Sequence, residues 1–511
     1  MSSLTSRVVA SLGWIFTNIL AKNAVQFVRT VVLWRFLSAE EFGLNSLAWM
    51  IIGGFTLLQD MGFSQELIQR KTDLDKAVSV TWYANVVIRA VIYGLIYVFA
   101  PFLAEHFNQT QAKHFDAAEV VSILRVASLA IVISSFGSTN EALLRKNFQF
   151  KRVLAVDGAE MTVLTVVQIA LAWAGYGVWS LVYGTIVAFS VRSLALWWLA
   201  PIRVGRFDVR VFKEMFHFGK HMTLSTLGLW LIKNMDYYFV GRYLGLAALG
   251  YYTLAFKLSD LIAVNVVRNL ASVLFPAYSE LKQDLERLRG AWLRSVRYTM
   301  LLVMPMGLGL MLFSREIILA FYPGKEVVIF PMAILVIFSL CRGVGVPLGD
   351  LAKAIGRPKI LTQAVIVHIL LMGPALYLVT AWLGLDLDRG LIAVSIVVAA
   401  APILAVQVSY RLAARHVKFT AKQVLGALLP SVAAGAFMAA GTLAVKAGLL
   451  WVAPGTPALV ILVALGSFSC LLYALALLKL FPETARDLRD LFQRRRRKEK
   501  VGAASAAAAP R

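Results

Sequence analysis

RFLSAEEFGLNSLAW, residues 35–49, aligns without gaps on RYLGLAALGYYTLAF, residues 242–256, and the two share an arginine, an aromatic residue, leucines, a glycine and an alanine. A second pair, LLRKNFQFK (143–151) and LAKAIGRPK (351–359), repeats at a spacing of 208 residues instead of 207. Two independent pairs at nearly one spacing predict a duplicated chain. Such internal repeats are typical of membrane transporters.

The composition places the chain in a membrane. Of its 511 residues, 59% are hydrophobic and 15% are charged, whereas a soluble domain has about 45–50% apolar and roughly 25% charged residues. Apolar runs of about 20 residues, enough for a helix to cross a bilayer, recur along most of the chain. They predict about fourteen transmembrane helices, at residues 12–34, 42–64, 77–104, 118–144, 154–174, 177–201, 218–241, 248–275, 297–322, 326–352, 359–384, 389–411, 423–447 and 452–480.

The repeat divides this all-α chain into two pseudo-symmetric lobes of six helices. We expect the N-terminal lobe at residues 1–201, the C-terminal lobe at 202–412, two further helices within 413–480, and a basic, disordered cytoplasmic tail at 481–511. The repeat spacing contains an even number of spans, so both copies should cross the membrane in the same direction. No cleavable signal peptide is expected, because residues 1–11 lead into a full-length span with no small-residue cleavage site behind it.

The net charge of +23 is concentrated on one side of the predicted topology. Alternate connections carry 24 lysines and arginines on one side and 7 on the other. The positive-inside rule therefore predicts a multi-pass membrane protein with both termini in the cytoplasm. The RRRRKEK segment, residues 494–500, favours an anchor to anionic membrane lipids over a nucleic-acid site, and no nucleic-acid partner is predicted.

A stripe of polar residues marks the first predicted span. Asn18, Lys22, Gln26 and Arg29 are 4, 4 and 3 residues apart, and this spacing places them on one helix face. A charge at the bilayer centre costs about 2.5–3.5 kcal/mol on insertion scales, so such a face should contact protein or water. The stripe predicts a substrate-binding surface; packing against other helices is the alternative.

Further cations lie within other spans, and acidic residues at similar depth are few. A water-filled cationic cavity would suit a diphosphate, which arginine grips with two hydrogen bonds and lysine attracts as a point charge. Internal ion pairs or snorkelling to the interface are the alternatives, and snorkelling is our interpretation of Arg192 and Lys220 near span ends. Asp236 and Asp60 are candidates for ion coupling, although a pair with Lys233 or Lys257 explains Asp236 equally well. The substrate-binding candidates beyond the stripe are Arg89, Arg125, Lys233, Arg268 and Arg342.

Enzymatic motifs are not apparent in the sequence. The two cysteines fall inside predicted spans, the histidines lack metal-ligand spacing, and no G-x-x-x-x-G-K-[ST] phosphate loop occurs. We predict no catalytic residue, metal or cofactor. The basic segment at residues 281–297 should form an amphipathic helix on the cytoplasmic surface, contacting anionic lipid or a partner protein.

The chain resembles the polysaccharide-type (Wzx-like) flippases of the multidrug/oligosaccharidyl-lipid/polysaccharide (MOP) exporter superfamily. The similar segments are RFLSAEEFGLNSLA, QDMGFSQELIQRK, NMDYYFVGRYLGLAALGYYTLAFKL, VLFPAYSEL and AIGRPK. The resemblance implies a transporter of the bacterial cytoplasmic (inner) membrane that moves an undecaprenyl-diphosphate-linked oligosaccharide across it by alternating access, for exopolysaccharide or lipopolysaccharide biosynthesis. It also implies a polysaccharide polymerase and export machinery as partners.

Two other classes of protein stay open at this point. A cation-coupled drug or metabolite antiporter of the same superfamily would share the lobes, but acidic residues would be expected for cationic drugs. A membrane-embedded polysaccharide polymerase or ligase would act on similar lipids, but it would need a larger extramembrane loop than residues 105–119 provide.

Overall fold

The computed structural model describes residues 22–57, 59, 62–108, 116–262, 267–453 and 455–484, without the side chains at 217–227, 229, 262 and 268–273. These ranges contain helices and connections but no β-strand. Several predicted features lie outside them: the start of the first span with Asn18, the carboxylate of Asp60, the side chains of Lys220 and Arg268, and nearly all of the tail with the segment at 494–500. The all-α fold class is confirmed.

One compact unit comprises residues 25–253 and 369–394, and we call it the first unit. It contains most of α1, the helical residues 22–36. Its other elements are α2 (Ala39–Thr56), α3 (Phe63–Gln69), α4 (Leu74–Asn108), α5 (Ala117–Lys146), α6 (Phe150–Trp173), α7 (Val178–Leu199), α8 (Val209–Phe239), a π-turn (Val240–Leu244) and the first half of α9 (Leu246–Ile262).

The second unit comprises residues 254–368 and 395–484, together with residues 22–24. Its packing centres on Trp292, whose ring stacks on Phe419 with centroids 4.5 Å apart. The helices from here to the end of the described chain are α10 (Arg268–Glu280), α11 (Leu285–Leu312), α12 (Ser314–Phe321), a 3-10 turn (Glu326–Val328), α13 (Ile329–Ala354), α14 (Lys359–Tyr377), a π-turn (Leu378–Trp382), α15 (Leu387–Val417), α16 (Ala421–Val452) and α17 (Ala458–Leu480).

Ten helical segments among the described residues are long and apolar enough to cross a membrane. They correspond to predicted spans three to six and nine to fourteen. The other four predicted spans are the first two of each repeat, and these carry the polar stripe, Lys233 and Asp236.

The repeat is visible as local geometry where α2 crosses α9. A Cβ built on Gly43 would lie 1.8 Å from the carbonyl oxygen of Leu246, and one built on Gly250 would lie 1.9 Å from that of Ala39. Both glycines and both contacted residues are 207 positions apart. Thr253 donates a hydrogen bond to Ser46 at 3.1 Å, again between repeat-equivalent residues. This glycine crossing therefore has local two-fold symmetry, and the small residues permit close approach of the two backbones.

The second repeated motif forms the same turn twice. After α5, the amide of Gln149 donates to the carbonyl of Leu144, and after α13 the amide of Arg357 donates to that of Ala352. The turn residues Phe148 and Gly356, 208 positions apart, have φ of 56° and 70°. Such left-handed caps satisfy the last carbonyls of a helix, so both repeat spacings correspond to shared backbone conformations.

The basic segment at 281–297 differs from the prediction. It is not a separate surface helix, because α11 begins at Leu285 and continues to Leu312 as a candidate span. Leu288, Trp292 and Val296 are fully buried at four-residue intervals, while Arg287 remains mostly exposed. The predicted amphipathic pattern is therefore present as the first turns of a longer helix.

Candidate functional site

A polar cavity of about 440 Å³ lies within the first unit, bordered by α2, α4, α5, α6 and α7. This volume is within the range of small-molecule pockets, about 300–1,000 Å³. Its wall combines donors and acceptors with a few apolar side chains. The polar lining residues are Thr56, Gln59, Arg89, Ser134, Ser138, Glu141, Glu160, Arg192 and Ser193.

Arg192 organises one wall of the cavity. Its guanidinium contacts Glu141 and Asp157, each at 2.8 Å, and also Glu160. Glu141 accepts two further hydrogen bonds from Arg145, the closer at 2.6 Å. These contacts connect α5, α6 and α7, and the geometry of a planar guanidinium suits several carboxylates at once. The interpretation of Arg192 as a snorkelling residue is therefore wrong.

Arg89 supplies the second cation of the cavity. It is 7% exposed, and its Nη1 donates to the hydroxyl of Ser134 at 3.0 Å. Two arginines and the two glutamates Glu141 and Glu160 thus line the cavity. The wall is balanced in charge and offers donors as well as acceptors, which is the hydrogen-bonding pattern that sugar hydroxyl groups require.

The described part of the polar stripe lies on α1. Gln26 is exposed, whereas Lys22 and Arg29 are partly buried. One terminal nitrogen of Arg29, Nη1, is buried and has no hydrogen-bond partner among the described residues. A buried guanidinium N–H without an acceptor is costly, so this nitrogen is a site at which an anionic ligand would be stabilising.

Two other predicted cations have internal partners. In the second unit, Arg342 pairs with Asp260 at 2.5 Å and lies near the ring of Phe338. In the first unit, Arg125 stacks over the ring of Tyr97 at 4.1 Å and donates to its backbone carbonyl. Arg342 is therefore neutralised by a carboxylate, and Arg125 contacts an aromatic ring and a carbonyl instead of the cavity.

Asp236 is buried on α8, 2% exposed, and accepts a hydrogen bond of 2.6 Å from the hydroxyl of Tyr252. Its other oxygen, Oδ1, has no hydrogen-bond partner among the described residues. Lys233, three residues earlier, is exposed. The described residues form no ion pair with Asp236 within 4.0 Å. Tyr252, which sequence analysis did not identify, donates the side-chain hydrogen bond to this carboxylate.

The acidic residues around Arg192 are the main omission of the sequence analysis. Glu141, Asp157 and Glu160 fall inside the predicted spans four and five, and Asp157 and Glu160 are three residues apart on one helix face. An intramembrane carboxylate is a functional candidate by itself, so the signal was present. Their convergence on one arginine depends on the packing of three helices.

The chain belongs to the family of polysaccharide biosynthesis proteins, whose family model matches residues 32–326. It is 26% identical over 361 residues to the succinoglycan biosynthesis transport protein ExoT of Rhizobium meliloti, covering 69% of this chain and 70% of that protein. It is 23% identical over 370 residues to the lipopolysaccharide biosynthesis protein WzxC of Escherichia coli, covering 70% and 72%.

Solved structures with the same fold include membrane transporters. The lipid II flippase MurJ in an inward closed conformation superposes with a TM-score of 0.72 at 15% identity, over 92% of this chain and 99% of that one. An inward-facing multidrug resistance transporter of the MATE family superposes with a TM-score of 0.64 at 16% identity, over 77% and 95%. These likenesses establish the fold, and with the apolar helices they define a multi-pass membrane protein.

Proposed function

We propose that this protein is a flippase for a lipid-linked oligosaccharide, carried on undecaprenyl diphosphate, in exopolysaccharide or lipopolysaccharide biosynthesis. One observation carries the proposal: a mixed-charge, hydroxyl-lined cavity inside a membrane-spanning unit, in a chain of the polysaccharide biosynthesis family. Apolar lipid tails cannot form hydrogen bonds with such a wall. A saccharide entering the membrane interior needs one, because its hydroxyl groups would otherwise lose their hydrogen bonds to water.

The proposed division of labour follows the chemistry of the two surfaces. Lys22 and Arg29 attract the diphosphate, and Asn18 and Gln26 donate hydrogen bonds to phosphate or sugar oxygens. Arg89, Glu141 and Ser138 of the cavity contact sugar hydroxyls. Alternating access then exposes the headgroup to one side of the membrane at a time, with both termini in the cytoplasm.

Asp236 is the proposed site of ion coupling. A carboxylate with one oxygen bonded to Tyr252 and the other without a partner among the described side chains can be neutralised by a proton or a small cation. Removing its charge should uncouple transport from an ion gradient without abolishing substrate binding. Asp60 is a second candidate by its position near the inner end of span two.

The test is translocation of a fluorescent lipid-linked oligosaccharide in proteoliposomes, read as protection from an added glycosidase. We compare wild type with Lys22→Ala, Arg29→Ala and Arg89→Gln at matched protein amounts. Arg35→Ala is the control, since Arg35 lies on α1 but is exposed. Losing a hydrogen bond to a charged group costs about 1.5–3 kcal/mol, so each test variant should be at least about tenfold slower.

The outcomes separate the possible functions. Slow transport in the three test variants and normal transport in Arg35→Ala support the proposed contacts. Wild-type transport rates in all variants would show that the polar stripe packs against other helices and does not bind the substrate. No transport of the oligosaccharide by wild type, combined with efflux of a cationic drug, would identify an antiporter instead.

A further inference from the structure

Three connections of the second unit meet at a pocket of about 360 Å³, which we call the basic pocket. The connection between α10 and α11 contributes Lys282, the turn after α13 contributes Arg357, and the end of α15 contributes His416. All three connections belong to the lysine- and arginine-rich side of the predicted topology. The pocket is therefore placed where the positive-inside rule puts the cytoplasmic surface.

The hydrogen-bond donors of the basic pocket are not used by other side chains of the described residues. Lys282, Arg357 and His416 make no ion pair or side-chain hydrogen bond within the described residues, and the lining contains no carboxylate. Three acidic residues close to these connections in the sequence are paired, Asp350 with Lys353 at 3.1 Å, Asp284 with Arg287 at 3.1 Å and Glu286 with Arg289 at 3.5 Å, and Glu280 is exposed outside the lining. The local excess of positive charge thus faces the pocket.

The pocket is also held in shape. Its remaining wall is mainly apolar and comprises Leu285, Ala354, Ile355 and Val417. Gly356, with φ of 70°, forms the left-handed cap that fixes the direction of the chain at Arg357. Beneath it lies a packed cluster that includes Leu288, Leu351 and Ala413, each fully buried. A preformed site loses less entropy on binding than one that must be ordered.

We propose that the basic pocket binds the phosphate group of a ligand on the cytoplasmic side, separately from the surfaces assigned to transport above. Arginine and lysine around a concave wall without carboxylates match a phosphate, which accepts several charge-assisted hydrogen bonds. The apolar wall next to it suits the glycerol and first acyl carbons of a lipid. The same phosphate chemistry is offered by an anionic phospholipid headgroup or by a soluble phosphate.

The test uses the purified full-length protein and two probes. Binding of dioleoylphosphatidylglycerol is counted by native mass spectrometry, and binding of inorganic pyrophosphate is measured by calorimetry. The test variant is Lys282→Gln with Arg357→Gln, and His416→Gln is made separately. Arg294→Gln with Arg415→Gln is the control, because both arginines are exposed cations outside the lining and their removal changes net charge equally.

We expect wild type and the control to bind at least one of the probes, and the Lys282/Arg357 variant to bind it at least about tenfold more weakly. A saturable lipid adduct lost in that variant identifies a headgroup site; pyrophosphate binding lost in that variant without lipid binding identifies a soluble ligand. Equal affinities in all proteins, or no binding of either probe to wild type, would overturn the proposal. Oligosaccharide translocation by the same variants is read independently, so failure of the flippase assignment is a distinguishable result.

Discussion

The glycine crossing of α2 and α9 makes a sharp prediction about packing. In Gly43→Ala the new methyl group would lie 1.8 Å from the Leu246 carbonyl oxygen, whereas ordinary contact begins at 3.4 Å, so the two backbones must separate by about 1.6 Å. The atom to be displaced belongs to the backbone and cannot turn away as a side chain would. Overpacking costs about 1–3 kcal/mol when neighbours can adjust. We therefore expect Gly43→Ala to lower the free energy of unfolding by an amount at the upper end of this range, about 3 kcal/mol.

Gly250→Ala should cost a similar amount, because its methyl group would meet the carbonyl of Ala39 at 1.9 Å. The double variant should cost less than the sum of the two, since one separation of the helices relieves both clashes. Contacting residues commonly show such coupling, here by about 1 kcal/mol or more.

Thermal unfolding in detergent, followed by tryptophan fluorescence, measures these changes. Gly94→Ala is the matched control: it lies inside α4, and a Cβ there has no heavy atom within 4 Å. Replacing a helical glycine by alanine where space is open should stabilise by about 0.5–1 kcal/mol. If Gly43→Ala unfolds at the same temperature as wild type, or if the two glycine variants are simply additive, the close symmetric approach is refuted.

Three further outcomes follow from the polar contacts. Arg192→Gln should lower stability by about 3–5 kcal/mol, because it leaves a group of carboxylates without their shared cation. Arg145→Gln is the control: the Arg145 side chain is 46% exposed, so its loss should cost at most about 1 kcal/mol. Equal melting temperatures of the two variants would contradict the network. Tyr252→Phe should cost about 1.5–3 kcal/mol by removing the hydrogen bond to Asp236, and unchanged stability would show that this bond contributes nothing. Backbone amides at the start of α8, chiefly that of Val211, and the ammonium of Lys76 lower the pKa of Asp208. The charge of Asp208 therefore stabilises the fold at pH values above the pKa of the unfolded state, about 3.9, and this contribution disappears as the pH falls through the lower pKa of the folded state. Asp208→Asn should be less stable than wild type at neutral pH and equal to it in strong acid, which pH-dependent unfolding curves measure.

Ten of the predicted spans correspond to apolar helices of the described chain, because bilayer thickness fixes the length of each apolar run; the division of predicted span 297–322 between α11 and α12 was not predicted. The repeat was equally accessible, since glycines such as Gly43 and Gly250 occur where two backbones touch and few other residues fit. The partners of the charged side chains could not be predicted from the sequence in the same way. Arg342 and Asp260 are 82 residues apart, and nothing local distinguishes this paired arginine from Arg89, which lines a cavity.

Helix ends were harder to predict than helix centres for a related reason. The segment at 281–297 has an amphipathic pattern that a surface helix and the buried start of a span share. Only the position of Trp292 against Phe419 separates the two cases, and that contact joins α11 to a residue more than a hundred positions later in the chain.

The local two-fold symmetry of the glycine crossing also bears on ancestry. In such a contact residue i of one copy touches residue j of the other, and residue j of the first copy touches residue i of the second. Two identical subunits related by a two-fold axis form contacts of this kind. A gene that encoded a single copy of the repeat could therefore have produced a homodimer with this crossing already in place, inserted in one orientation. After fusion each glycine retained the other's backbone as its neighbour. Natural selection would then remove a bulkier residue from either half, even while the remaining sequence of the two copies diverged.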